Sequence, residues 1–425
     1  MAKEPHLLPS GRLSRLARLA SLGAQTGVNL LTSKDGSAAA VKAAEVLGNL
    51  RGLAAKVGQM ASYVDGAVPE PYRKAYETAL ESLRAATTSS PPEVIRKLVE
   101  AELRGRIERL FLEWEDEPFA SASIGQVHRA RLADGRPVAV KVQHPGIDRA
   151  VESDLRNAGV IETMVGALVP RAVDTKRVFN DIRARFREEL DYVHEAENQR
   201  TFSRIYAADA QILIPGVIDE RSSRRVLTTE LVSGTSLEDA AKLSEPERRT
   251  YAETLWRFEF NGLLLHGMFN ADPHPGNFLF QSGGRIAFLD FGCVQPMEAR
   301  LRAAAVVVHE AAARRDEAQF CTAVARMLGT RGGRYERAII TYVRRCFRPI
   351  FDSPFLVTSE YVKDVVLGVR ALKTEMFAKD KSFVMPPRGL AFMNRLQFGF
   401  YSVLARLNVQ TDYAAVEQQI LSRVA

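Results

Sequence analysis

Hydrophobic positions along the chain change their spacing near residue 118. Before that point, apolar residues recur at helical intervals in three stretches, over 11–31, 36–60 and 93–114. A proline at the start of the third stretch is compatible with the first turn of a helix. The pattern therefore predicts an N-terminal helical extension over residues 1–115.

Shorter apolar runs follow, with the character of strands. Runs over 127–132 and 137–142 flank Asp134-Gly135, a dipeptide typical of a hairpin turn. A third strand is predicted over 225–232, where Ser233-Gly234 ends it.

Beyond Leu237 the chain reads as mainly helical, with a further apolar strand over 286–289 and a helix over 297–314. The prediction is an α+β chain in three parts. The helical extension is followed by a strand-rich region with a helical insertion over 116–232 and by a helical region over 233–425.

Composition narrows the class of protein. Of 425 residues, 46% are hydrophobic and 26% are charged, which allows a sizeable core. The formal net charge is +7, and part of the excess lies in residues 1–60. A basic terminus favours an anionic membrane surface or nucleic acid, although a solvated helical face explains it equally well. We predict no nucleic-acid partner.

Cysteine usage and hydropathy bear on location. The three cysteines, Cys293, Cys321 and Cys346, show neither metal-ligand spacing nor a disulfide framework, which indicates a reducing compartment. We find no signal peptide and no apolar run of about 18 residues. We expect a cytoplasmic protein without a transmembrane helix, in contact with a membrane surface only peripherally.

The first candidate chemistry lies over residues 120–127, Ala-Ser-Ala-Ser-Ile-Gly-Gln-Val. This segment resembles the kinase phosphate loop G-x-G-x-x-G-x-V, with Gly125 and Val127 matching and with Ala120 and Ala122 in place of two glycines. Such a loop lays backbone N–H groups over phosphates. An ordinary Ala/Ser turn would give the same residues.

Lys141 ends the run Val-Ala-Val-Lys, which is similar to the kinase strand whose lysine contacts nucleotide phosphates. A buried ammonium needs a carboxylate partner, whereas an edge lysine would point to water. Four acidic residues in a predicted helical stretch could serve, and the sequence leaves the choice open: Glu188, Glu189, Asp191 and Glu195. Asp191 and Glu195 are four apart and would share a helix face.

The most specific signal is Asp272-Pro-His-Pro-Gly-Asn277 followed by Asp290-Phe-Gly. Kinases place a catalytic Asp and a metal-binding Asn five apart, upstream of a D-F-G motif. Asp290 and Asn277 are therefore predicted to hold Mg²⁺ or Mn²⁺, and Asp272 to accept a hydroxyl proton or orient water. No A-P-E motif follows. In protein kinases this motif ends the segment that binds protein substrates, so the sequence does not predict such a segment here.

Together with Lys56-Val-Gly-Gln59 and the Glu189-x-Asp191 motif, these features resemble the UbiB family, also called aarF-domain-containing kinases. The resemblance implies a two-lobed, protein-kinase-like fold in which the helical extension covers the active site. Lys56 and Gln59 would then reach toward the catalytic residues, and Glu189 and Asp191 would hold that arrangement. It also implies ATP or ADP as the cofactor and a lipid or quinone-pathway partner.

The predicted site divides into catalytic, nucleotide-binding, metal-binding and regulatory residues. The catalytic set is Asp272, Lys141, Lys56 and Gln59. The nucleotide-binding set is Ala120, Ser121, Ala122, Ser123, Gly125, Val127, Lys141, Glu195, Glu230 and Val232. Asn277 and Asp290 are the metal ligands, and Glu189 and Asp191 are regulatory.

Asn270 departs from the family pattern, which has histidine two residues before the catalytic Asp. The resemblance implies that this position braces the loop, so we expect altered turnover. The leading function is a Mg²⁺-ATP-dependent atypical kinase or ATPase that supports ubiquinone or other isoprenoid-lipid metabolism. The alternatives are a small-molecule kinase with a soluble acceptor and a nucleotide-gated scaffold without phosphoryl transfer.

Overall fold

The computed structural model describes residues 90–122, 124–149, 151–152, 180, 184, 187–377, 383–384, 387 and 390–424. Lys56, Gln59 and Ser123 lie outside the described residues, as does most of the predicted helical extension. The described part contains helices and several small sheets, and the architecture is α+β.

The helices of the described part cluster toward the C-terminal end of the chain. In chain order they are α1 (Pro92–Leu103), α2 (Ile107–Leu110), α3 (Tyr192–Ile205), α4 (Leu237–Ala240), α5 (Glu245–Asn261), α6 (Ala299–Ala313), α7 (Glu317–Leu328), α8 (Gly333–Cys346), α9 (Arg348–Phe351), α10 (Ser359–Phe377), α11 (Leu390–Leu407) and α12 (Tyr413–Leu421). A π-helical turn, Gly262–His266, continues α5.

The strands are short, and they form four separate sheets. In chain order they are β1 (Glu113–Trp114), β2 (Ala120–Ala122), β3 (Gly125–Arg131), β4 (Pro137–Gln143), β5 (Ile212–Leu213), β6 (Val226–Glu230), β7 (Met268–Asn270), β8 (Phe278–Gln281), β9 (Arg285–Phe288), β10 (Val294–Pro296), β11 (Phe355–Leu356) and β12 (Gln410–Thr411).

The largest sheet is antiparallel and has five strands. Its order is β1-β3-β4-β6, and β2 pairs with β3 on the same edge as β1. The predicted hairpin is confirmed as β3 and β4, with Gly135 at φ 87° in the turn. The remaining sheets are β5-β9-β8, β7-β10 and β11-β12.

Alternation along β4 explains how this sheet builds both a core and a site. Val138, Val140 and Val142 are fully buried and pack with apolar residues of α1. Because successive side chains of a strand point to opposite faces, Ala139 and Lys141 lie on the other face. The sequence thus places one lysine on the face opposite three buried valines.

The prediction of one helix over 93–114 is wrong. α1 ends at Leu103 because Arg104 adopts the left-handed conformation (φ 54°, ψ 40°), and its amide donates to the Glu100 carbonyl. The Glu100 carboxylate then accepts from the Ile107 amide at 3.1 Å, which starts α2. The chain goes on into β1 and joins the sheet.

The expected continuous helix through Glu189 and Glu195 is also wrong. The chain leaves helical conformation at Leu190, and Asp191 is the N-cap of α3, where its side chain accepts from the Val193 amide at 3.0 Å. Asp191 therefore does not share a helix face with Glu195, which lies in the first turn of α3.

The helical region predicted after Leu237 is confirmed, including α6 in place of the helix predicted over 297–314. A single large core joins its helices to the small sheets. Within the described ranges, no helix combines the length and the hydrophobicity that a membrane span requires.

A buried polar contact ties the last helix into this core. The Glu417 carboxyl group on α12 is fully buried and accepts from Trp256 Nε1 of α5 at 2.7 Å. Its other oxygen pairs with His309 Nδ1 of α6. The Glu417 side chain therefore links α5, α6 and α12.

We predict that Glu417→Ala lowers the free energy of unfolding by about 3–5 kcal/mol, because it leaves two buried partners unsatisfied. Glu417→Gln keeps the shape and one acceptor, so its loss should be smaller. Urea denaturation of the three proteins measures this. A loss below about 1 kcal/mol for the alanine variant would contradict the assigned role.

Candidate functional site

Lys141 is the centre of the candidate site. Its Nζ lies 2.7 and 2.9 Å from the two carboxylate oxygens of Glu195 and 3.3 Å from Asp290 Oδ2. Burial alone would lower the Lys141 pKa, but the charges of Asp290 and Glu195 outweigh it, and the pKa is raised well above its usual value. The ammonium thus stays charged although it is mostly shielded from water.

The structure selects Glu195 from the four acidic residues that the sequence left open. Glu195 is 4% exposed and points from the first turn of α3 to the sheet. Asp191 instead caps α3 and lies 3.9 Å from Arg224. Glu189 is half-buried just upstream, and its charge helps raise the pKa of Tyr192.

Two short ladders hold the loops that carry Asp272 and Asp290. β7 pairs with β10, and the Ala271 amide donates to the Cys293 carbonyl at 2.9 Å. β8 pairs with β9, and the Leu289 amide donates to the Asn277 carbonyl at 3.0 Å. The backbone therefore brings Asn277 beside the segment that ends in Asp290.

Side chains add further contacts within these loops. The Asn277 amide donates to the Asp272 carbonyl at 3.0 Å. Asp290 Oδ1 accepts from the Gly292 amide at 2.9 Å, which fixes the turn after the carboxylate. Asp272 and Asp290 are both partly accessible to solvent.

Asn270 itself braces the loop. Its Nδ2 donates to the Asp290 carbonyl at 2.7 Å, and its Oδ1 accepts from the Asp272 amide at 3.1 Å. One buried side chain thus links the two acidic loops. The amide supplies one donor and one acceptor without any titrating group.

The oxygen donors here suit a hard divalent cation. Carboxylate and amide oxygens are the protein ligands that Mg²⁺ takes, usually one or two of them together with phosphates. Asp290 and Asn277 offer such a pair on neighbouring loops. A denser cluster of three or more His, Cys, Asp or Glu residues that could hold a metal is not found in the described part of the chain.

The predicted phosphate loop is a tight antiparallel ladder. Ala120 pairs with Val127, Ser121 with Gln126, and Ala122 with Gly125. Glycine is required at 125, because a Cβ there would lie 2.3 Å from the Val142 carbonyl oxygen. Between the two strands lie residues 123–124, of which Ile124 is buried.

Two predicted nucleotide-binding residues lie at the end of β6. The Glu230 carboxylate accepts from the Gly216 amide at 2.9 Å, and its nucleotide-binding role stays a prediction. Val232 follows and is half-buried.

Sequence reasoning missed Glu259 of α5. It is 2% exposed, and burial raises its pKa well above its usual value despite a hydrogen bond from the Asn270 backbone. Its Oε2 has no hydrogen-bond partner among the described residues. The sequence did contain a sign that Glu259 is buried, because it lies between Phe258 and Phe260 on an apolar side of the helix.

Comparison with known proteins identifies the family. Residues 82–324, more than half of the chain, match the model of the ABC1 atypical kinase-like domain. The chain belongs to the ABC1, or UbiB, family of atypical kinases. The resemblance inferred from the motifs is confirmed.

Named relatives of the UbiB family support this assignment. ACTIVITY OF BC1 COMPLEX KINASE 3 (chloroplastic) of Arabidopsis thaliana is 36% identical over 55% of this chain and 34% of its own length. Mitochondrial atypical kinase COQ8B of Rattus norvegicus is 31% identical over 67% of this chain and 57% of its own length. The chain thus spans between a third and somewhat over half of these relatives.

A solved structure matches almost the whole chain. It is the complex of Rv3197 with erythromycin from Mycobacterium tuberculosis, with a TM-score of 0.62 and 25% identity. The match covers 96% of this chain and 98% of the other. Together with the family model, it supports an α+β kinase-like fold.

Glu259 gives a prediction about pH. Its raised pKa means that the folded state holds a proton that the unfolded state releases above about pH 4.5. Wild-type stability should therefore fall, relative to Glu259→Gln, as pH rises from about 4.5 toward the folded-state pKa, by up to about 1.4 kcal/mol per pH unit.

Urea denaturation at several pH values measures that difference. Glu245→Gln, at an exposed position of the same helix, is the control for a Glu-to-Gln change outside the buried site. Parallel stability profiles for wild type and Glu259→Gln would refute the assignment.

Proposed function

We propose that this UbiB-family chain is a Mg²⁺-ATP-dependent atypical kinase or ATPase. The observation that carries the proposal is the contact of Lys141 with both Glu195 and Asp290. An active kinase requires this lysine–glutamate pair and the D-F-G aspartate to be in place together. Segments far apart in sequence converge to make that arrangement.

Each residue has a defined role in this proposal. Lys141 would hold the α and β phosphates, beneath the loop of residues 120–127. Asp290 and Asn277 would hold Mg²⁺, which neutralises charge on the phosphates. Asp272 would accept a hydroxyl proton or orient water. Asn270 keeps Asp272 and Asp290 at a fixed separation.

We further propose a two-lobed arrangement. The strand-rich region 116–232 would form the smaller lobe and the helical region 233–425 the larger one. The extension 1–115 would cover the site through Lys56 and Gln59, with Glu189 and Asp191 holding it. The missing A-P-E motif agrees with a covered site that excludes protein substrates.

The biological setting that we propose is ubiquinone or other isoprenoid-lipid metabolism, at an anionic membrane surface reached from the cytoplasm. Similarity to COQ8B supports the metabolic setting, and the basic residues within 1–60 support the anionic surface. A second candidate, a small-molecule kinase with a soluble acceptor, is supported by the likeness to Rv3197, which was solved with erythromycin. A lipid and metabolite comparison between cells with and without the gene separates the two.

We predict that Mg²⁺ with ADP or ATP raises the melting temperature, since a ligand at 100 times its Kd adds about 2.7 kcal/mol to stability. Asp290→Asn should remove most of the Mg²⁺-dependent part. Asp239→Asn, at an exposed position on α4, is the control and should keep the full shift. A full Mg²⁺-dependent shift in Asp290→Asn would show that the metal assignment is wrong.

We also predict slow ATP hydrolysis that Asp272→Asn lowers at least tenfold, because general-base catalysis contributes about 10²–10⁴-fold. Phosphate release from ATP is the measurement, with generic peptides as competing acceptors. Peptides should gain little phosphate. Rapid phosphorylation of a peptide by the intact chain would contradict the proposed exclusion of protein substrates.

A further inference from the structure

The Tyr192 hydroxyl is a buried polar group that needs an explanation. Tyr192 is 1% exposed at the start of α3. Its hydroxyl has no hydrogen-bond partner among the residues that the structure describes. Burying a donor without a partner costs free energy, so such groups are rare and often functional.

The position of this hydroxyl connects two parts of the candidate site. It lies 2.9 Å from the point that a Cβ on Gly125 would occupy, at the end of the phosphate loop. The ring lies 5.1 Å from Lys141 Nζ and makes a cation–π contact with it. Tyr192 therefore spans the distance between the loop and the lysine.

The charges around Tyr192 indicate which kind of ligand atom it would meet. Burial raises the Tyr192 pKa, and the carboxylates of Glu195 and Asp290 raise it further, although Lys141 opposes them. The hydroxyl is therefore a protonated donor at neutral pH. A donor beside an ammonium is suited to an anionic oxygen.

The carboxylates of Glu195 and Asp290 do not accept a hydrogen bond from the Tyr192 hydroxyl. Glu195 directs both of its oxygens to Lys141. Asp290 directs one oxygen to Lys141 and the other to the Gly292 amide. A phosphate held by Lys141 would bring a new acceptor to the same place.

We propose that Tyr192 is a phosphate-binding residue, whose hydroxyl donates a hydrogen bond to a nucleotide phosphate held between Lys141 and the loop ending at Gly125. The proposal rests on the proposed nucleotide-binding function and adds one ligand residue to it. A side chain at 125 would crowd the Tyr192 hydroxyl as well as the Val142 carbonyl.

Tyr192→Phe tests this, because it removes the hydroxyl and keeps the ring that faces Lys141. We expect the Kd for Mg²⁺-ADP to rise about tenfold or more, as hydrogen bonds to charged groups are among the stronger ones. The Kd for adenosine, which carries no phosphate, should stay unchanged. Calorimetry for Mg²⁺-ADP and ligand-observed NMR for adenosine measure the two constants.

Stability without nucleotide gives an independent readout. Removing an unpartnered hydroxyl should leave the melting temperature unchanged or raise it. The control is Tyr401→Phe. The Tyr401 hydroxyl is also buried, but it has a partner, because it donates to the Cys346 carbonyl at 2.7 Å. That variant should melt at a lower temperature and bind Mg²⁺-ADP normally.

Three results would overturn the inference, each in a recognisable way. Equal losses for Mg²⁺-ADP and adenosine would indicate a structural role for Tyr192. A lower melting temperature with unchanged Mg²⁺-ADP binding would mean that the hydroxyl is satisfied within the protein or by water. Failure of wild type to bind Mg²⁺-ADP would remove the proposed function, and the inference with it.

Discussion

The burial of one ammonium group organises this molecule. Lys141 lies on the face of β4 opposite three buried valines, where a charge is tolerated only with close counter-charges. One of them, Glu195, is 54 residues away in sequence, and the other, Asp290, is 149 residues away. The sheet, α3 and the D-F-G segment are held in one arrangement by this requirement, because removing either carboxylate would leave a poorly compensated charge.

The loops that carry Asp272 and Asp290 are held in place by side chains that carry no charge. Asn270 bridges the two acidic loops through its amide. Asn198 of α3 donates to the Phe291 carbonyl at 3.0 Å, and the raised pKa of Glu259 favours its neutral form beside the Asn270 backbone. A histidine in place of Asn270 could make similar contacts only in its neutral form. The Asn270 amide makes both contacts without a titrating group.

The sequence predicted those features that depend on local spacing. The β3–β4 hairpin followed from alternation and Asp134-Gly135, and the Asp272–Asn277 and Asp290 motifs followed from their order along the chain. The break at Arg104 was missed although Gly105 follows it directly, because the left-handed residue is an arginine and the helix stops where the chain turns to pair β1 with β3. The sequence also left the acidic partner of Lys141 undecided, because that partner depends on the residue at which α3 begins.

The two alanines of the predicted phosphate loop occupy positions that kinases fill with glycine. Ala120 and Ala122 are extended residues of β2, paired in register with β3. An extended strand residue has no need of a positive φ, so alanine is tolerated where kinases use glycine. Gly125 differs, because the β4 backbone approaches it too closely for any side chain. The one glycine of the motif that this chain retains is therefore the one that packing demands, and it lies against the Tyr192 hydroxyl.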